Sequence, residues 1–93
     1  MRTVESSSAF KRDYKRASKG QHRAALDSAL KRVLFALAAD QALEVHHRDH
    51  ALSGNWAGCR EYHVRPNLLL IYRKTDVGTL QLARLGSHSE LFG

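Results

Sequence analysis

"LLLIYRK", Leu68–Lys74, is the most apolar run of the chain. An unbroken apolar run of this length, bounded by turn residues, reads as the central strand of a sheet. Just upstream, "PN" (Pro66 and Asn67) is a turn, its φ preset by the proline. Before it "CREYHVR", Cys59–Arg65, alternates apolar and polar residues as a strand does. Downstream, "TDVGT" (residues 75–79) has hairpin-turn composition, and "LQLARL" (residues 80–85) reads as a further strand. Short connections make these three strands antiparallel neighbours.

The N-terminal half has a different period. "RTVE" (residues 2–5) is a short candidate strand, and "SSS" breaks it with hydroxyls suited to capping a helix start. Phe10, Tyr14 and Ala17 then fall at helical spacing, with lysines and arginines between them and an end expected near Gly20. Ser18 and Gln21 have capping-box spacing for a second helix. Leu26, Leu30, Val33, Leu34 and Leu37 form its apolar stripe. A connection this short sets the two helices roughly antiparallel. "QALEVHHRDHALSGNWAG" (residues 41–58) has no clean period and reads as a long loop. The order is strand, helix pair, antiparallel strands: an α+β domain with helices on one face of a sheet. No repeat or internal linker interrupts it, so residues 1–93 read as one domain.

Bulk properties narrow the function. The single cysteine, Cys59, excludes an internal disulfide framework and a cysteine-rich zinc site. No apolar stretch reaches the roughly 18 residues of a membrane span, and "MRTVESSSAF" lacks the apolar run of a signal peptide. A cytoplasmic protein without a membrane partner is expected. Fifteen Lys and Arg against nine Asp and Glu make the net charge +6, which favours a polyanionic partner, nucleic acid above all. The excess is concentrated in residues 10–32: Lys11, Arg12, Lys15, Arg16, Lys19, Arg23, Lys31 and Arg32 face only Asp13 and Asp27.

Six histidines is a high count for 93 residues. His46 and His50 in "HHRDH" are four apart, the spacing that offers two nitrogens to a metal on a helix, but no third ligand sits at a motif spacing. No metal or other cofactor is expected. His22 lies among basic residues and reads as surface. His50, His63 and His88 lie on separate segments that hairpins can bring together, and Arg84 precedes His88 by four positions, as Phe92 follows it by four. Imidazoles titrate near neutral pH and can move protons to and from a ribose hydroxyl or a leaving oxygen. A guanidinium can neutralise charge building on phosphorus. Those are the parts for metal-free RNA cleavage.

The segments "DHALSGNWAGCREYHVRPNLLLIYRKTD" and "RLGSHSELFG" resemble the YafQ branch of the RelE-type toxins, bacterial mRNA interferases of toxin–antitoxin modules. The resemblance runs over nearly the whole chain: the element order, the "DH-x-L-x-G-x-W-x-G" loop, the "HV-x-P" turn, "LIY" and the closing "G-x-H-x-x-LFG". It implies a small microbial RNase fold, cleavage of mRNA in the ribosomal A site, and neutralisation by a cognate antitoxin. It also implies site residues. His50 in "DHAL" matches the loop histidine, His63 in "HVRP" the strand histidine, and Arg84 the arginine after the last strand core. His88 matches the C-terminal histidine taken as the main proton-transfer group, and Phe92 the terminal aromatic. Lys11, Arg12, Lys15 and Arg16 are expected as exposed positions that dock on ribosomal RNA phosphates.

Two adjacent positions depart from the pattern. The family places an acidic residue after the turn proline, followed by a tryptophan; here they are Asn67 and Leu68. Asn67 can hydrogen-bond substrate but cannot act as a base or hold negative charge, so the proton work falls on His50, His63 and His88. The alternative reading is a ParE-like toxin of the same architecture that acts without catalysis, by binding a topoisomerase.

Overall fold

The computed structural model describes residues 1–20, 24–41, 50–75 and 78–92, with only the backbone of His50 and Asn55. In chain order these form β1 (Thr3–Ser6), α1 (Ser8–Ala17), α2 (Leu26–Ala38), β2 (His50–Ala51), a 3₁₀ turn (Gly54–Trp56), β3 (Arg60–Arg65), β4 (Leu68–Lys74), β5 (Thr79–Gly86) and α3 (His88–Phe92). The strands make one sheet in the order β1-β5-β4-β3-β2.

The apolar run is the middle of that sheet. Leu68, Leu70 and Tyr72 point to one face, where they join Tyr62, Val64, Leu80, Leu82 and Leu85 against Phe10 of α1 and the α2 stripe Leu26, Leu30, Val33 and Leu37. Leu69 and Ile71 point to the other face, under Leu91 of α3 and the partly buried Leu52, Trp56 and Cys59. A strand with apolar cover on both sides needs no polar alternation, hence "LLLIY".

Two expectations change, and the orientation of β1, which the sequence left open, is added to them. The sheet is mixed: β1 runs parallel to β5, Val4 opposite Leu80, whereas β2–β5 are antiparallel. β2, the strand that follows the helix pair, runs opposite to β1, and the three antiparallel steps β2–β3, β3–β4 and β4–β5 bring β5 back parallel to β1. Residues 41–58 are not all loop, because His50 and Ala51 pair with Glu61 and Arg60 as an edge strand and Gly54–Trp56 form the 3₁₀ turn. Ser18 does not cap α2. It ends α1, its hydroxyl donating to the Lys15 carbonyl at 2.8 Å, and α2 starts at Leu26 after Ala25 with no side-chain cap. Gln21 of the expected capping box lies outside the described residues, as do His22, Arg23, His46 and Asp49.

Ser7 ties the start of α1 to the last strand. Ser7 caps α1, its Oγ accepting from the Phe10 N–H at 2.9 Å while donating to the Ala83 carbonyl at 2.7 Å. At Ala83 the β4–β5 register steps by one residue: Tyr72 opposes Leu82 but Ile71 opposes Arg84. This β-bulge rephases β5, so Leu85 as well as Leu80 and Leu82 reaches the helix-side core.

Candidate functional site

The register brings the expected residues into two adjacent rows across the sheet. One row runs His63–Leu69–Gly86, the other His50–Glu61–Ile71–Arg84. With strands about 4.8 Å apart, His63 lies about 10 Å from Gly86, and His50 about 14 Å from Arg84, measured between backbones. His88 follows Gly86 by two residues as the first residue of α3.

The tail is a helix whose start is capped by its own sequence. Ser87 and Glu90 form a capping box: the Ser87 N–H donates to Glu90 Oε1 at 2.8 Å, and the Glu90 N–H to Ser87 Oγ at 3.2 Å. Leu91 is buried against Leu69 and Ile71, which seats α3 on the sheet, and His88 stands at its exposed first position. Its ring is exposed and packs at 5.0 Å between centroids, tilted by 46°, on Phe92 one turn later. Gly86 permits the close seating of α3. A Cβ there would lie 3.0 Å from Glu90 Oε1 and 3.3 Å from Leu91 Cδ2.

Arg84 is not a solitary cation. Its Nε donates to Asp13 Oδ2 at 2.6 Å and its Nη2 to Asp13 Oδ1 at 3.1 Å, a two-pronged pair with a carboxylate only 3% exposed. The Leu85 amide also donates to Asp13 Oδ2 at 3.0 Å, and Arg16 Nη2 to Oδ1 at 3.1 Å. Burial pushes the Asp13 carboxyl up. The hydrogen bonds from Arg84 and Leu85, with the charges of Arg84 and Arg16, outweigh it and hold the group below the usual aspartate range. The Asp13 hydrogen bond raises Arg84 above its ordinary value against the effect of burial. Glu90 is lowered, first by the Ser87 backbone hydrogen bond.

Arg16 is exposed, as are Lys11, Arg12 and Lys15. It also bridges Asp13 and Glu90, its Nη2 3.1 Å from Asp13 Oδ1 and its Nε 3.3 Å from Glu90 Oε2. With Asn67 of the β3–β4 turn it also lines a cleft of about 510 Å³ beside α3, together with Ser87, Ser89 and Glu90.

Sequence reasoning passed over three acids. Asp13 lies on the stripe Phe10–Tyr14–Ala17, and an acid on a helix's inward face was the available signal. Glu90 follows Ser87 at capping-box spacing. Glu61 shares the strand face of His63 by period-2 alternation; it is 5% exposed, and its Oε1 lies 4.0 Å from His63 Nε2. His63 is partly buried, and Asn67 and Phe92 are exposed. Among the described residues no group of three or more His, Cys, Asp and Glu side chains is placed to hold a metal.

Known proteins resemble this chain in sequence and fold. A family model described as the bacterial toxin of type II toxin–antitoxin systems, YafQ, matches residues 2–93. The mRNA interferase toxin YafQ of Escherichia coli K12 is 36% identical over 94 residues, covering 99% of this chain and 97% of that protein. The crystal structure of YafQ from E. coli BL21(DE3) matches with a TM-score of 0.85 at 35% identity, over 100% of both chains. YafQ in the E. coli DinJ–YafQ complex matches with a TM-score of 0.83 at 36% identity, again over 100% of both. By fold, by element order and by sequence over its full length, this chain belongs to the YafQ family of bacterial toxins of type II toxin–antitoxin systems.

Proposed function

We propose that residues 1–93 form one toxin domain that cuts mRNA in the ribosomal A site, in the cytoplasm, and is neutralised by a cognate antitoxin. The observation that carries the site is the tail. An exposed imidazole, His88, stands on an aromatic ring at the end of a capped helix, one short turn from an arginine held in place by a carboxylate.

The reaction needs two proton movements and no added reactant. The ribose 2′-oxygen attacks the adjacent phosphorus; the O2′–P bond forms as the P–O5′ bond breaks, leaving a 2′,3′-cyclic phosphate and a 5′-hydroxyl. A base takes the 2′-hydroxyl proton, and an acid supplies one to O5′. His88 carries the main transfer, with His63 and His50 sharing the remainder. Arg84 stabilises the charge on the phosphorane oxygens. Phe92 braces His88 or stacks on a base, and Asn67 hydrogen-bonds the substrate. No step calls on a metal. Lys11, Arg12 and Lys15 contact ribosomal RNA phosphates without reading sequence. Arg16, tied to Asp13 and Glu90, serves the tail more than the RNA. No helix among the described residues is long and apolar enough to cross a membrane.

The test is cleavage of a translated mRNA, mapped by primer extension, with His88→Ala. Loss of a positioned acid–base group costs on the order of 10²–10⁴-fold in rate, while ribosome binding is retained. A folded His88→Ala protein that cuts at the wild-type rate refutes the assignment.

A further inference from the structure

We propose that Asp13 is a positioning residue for the cleavage reaction, fixing the plane and reach of the Arg84 guanidinium; this rests on the reading that Arg84 meets the scissile phosphate. Asp13 comes from the first helix and Arg84 from the last strand, 71 residues apart. Both carboxylate oxygens are engaged: Oδ2 by Arg84 Nε and the Leu85 amide, Oδ1 by the Nη2 atoms of Arg84 and Arg16. The Leu85 bond matters most to the argument. It anchors the carboxylate to the backbone beside Arg84, so the fork is referenced to the strand and not only to a mobile side chain.

The two-pronged contact uses the Nε–Nη2 edge of Arg84. Its Nη1 makes no hydrogen bond among the described residues, and the Arg84 side chain is 26% exposed. A guanidinium held by one edge presents the other in a fixed orientation, so little rotamer freedom remains to be lost when a phosphate arrives.

This separates positioning from mere support. A structural ion pair, when broken, lowers the melting temperature and leaves the rate per folded molecule alone. A positioning carboxylate, when neutralised, lowers kcat while KM stays level or falls, because the freed cation still attracts phosphate. Asp13→Asn keeps the shape but turns an amide N–H toward the donors of one oxygen. We expect its kcat to drop on the order of 10-fold to 100-fold, with KM no higher than wild type. The assay is single-turnover cleavage of a short mRNA on programmed ribosomes, normalised to folded protein by circular dichroism. In an Arg84→Ala background, Asp13→Asn is expected to add nothing, because the two act as one unit.

Arg84→Lys keeps the charge, cannot make the fork and leaves Asp13 intact. It is expected to show the same fall in kcat, and it keeps the test open if Asp13→Asn does not fold. Asp13→Asn within twofold of wild-type kcat overturns the proposal. So does a full additional loss in the Arg84→Ala background, and so does Arg84→Lys at the wild-type rate. A wild-type rate for Arg84→Ala itself refutes the phosphate role of Arg84, a different outcome from the failure of Asp13.

Discussion

Charge reversal along α1 is expected to separate RNA-binding cations from one that holds the fold. Lys11, Arg12 and Lys15 are exposed and make no ion pair among the described residues, whereas Arg16 lies 3.1 Å from Asp13 Oδ1 and 3.3 Å from Glu90 Oε2. Changing the first three to glutamate alters surface positions only, each within about 0.5 kcal/mol, so the melting temperature moves by a few degrees. If the three contact phosphates, the slope of log affinity against log salt shrinks by about 2, at roughly 0.7 per lost contact. Adding Arg16→Glu removes two pairs and sets a third carboxylate beside Asp13 and Glu90. The Arg16 side chain is 49% exposed, so each of these four effects is screened to the surface range of about 0.2–1 kcal/mol. Together they amount to about 1–3 kcal/mol, or on the order of 5–20 °C for a domain of this size. Thermal melts by circular dichroism and ribosome pelleting across a salt series read the two effects separately. Identical melting of the triple and quadruple variants would show that the Arg16 bridge contributes nothing. An unchanged salt slope in the triple variant would show that these charges merely solvate the surface.

Three further outcomes follow from the same geometry. Leu70→Ala empties a fully buried position between β4 and α2; a loss of about 3–5 kcal/mol is expected, measured as the urea midpoint at constant m, and a loss under 1 kcal/mol would contradict the two-faced packing of β4. Asn67→Asp restores a carboxylate to the turn beside the 510 Å³ cleft and is expected to raise the cleavage rate or shift its pH optimum; an unchanged pH–rate profile would show that the family's acid has no task here. Asp13, Glu90 and Asp40, the last bonded by Lys74 Nζ at 2.8 Å and Arg2 Nε at 2.9 Å, all have lowered carboxyl values, so the stability they contribute is complete above the ordinary carboxylate range, near pH 4, and is lost as pH falls through their folded values. Asp13→Asn is expected to flatten that acid limb in melts between about pH 5 and 2, and an unaltered limb would contradict the Asp13 pairing.

Much of the fold was legible because burial writes itself into period. "LLLIYRK" carries its two covered faces as an unbroken run, and the stripe from Leu26 to Leu37 carries the single covered face of α2. The parallel β1–β5 pairing was not legible, since β1 is exposed along its whole length and has no apolar signature of its own. The bulge was legible in principle: Leu80, Leu82 and Leu85 step by two and then three, the mark of one extra residue in an alternating strand. At the site, the histidines and Arg84 drew notice by type. Asp13 did not, because an acid among lysines on a helix reads as one more solvated charge until the inward position it occupies is seen.

That inward position explains how one ten-residue helix serves two ends. Phe10, Asp13, Tyr14 and Ala17 recur at three- and four-residue spacing, so they share the face packed on the sheet, while Lys11, Arg12 and Lys15 fall on the outer face. The Ser7 cap and the Ser7–Ala83 bond set the helix's start against the bulge of β5. Six residues further on, at about 1.5 Å rise each, the helix has advanced about 9 Å. That advance delivers Asp13 to the Leu85 amide and the Arg84 guanidinium two residues along the strand. Outer charge and inner geometry can thus be altered independently at every position but one. Arg16 stands where the faces meet, half exposed and paired inward with Asp13 and Glu90. The surface proposed to meet RNA and the support of the His88 helix come together at that side chain.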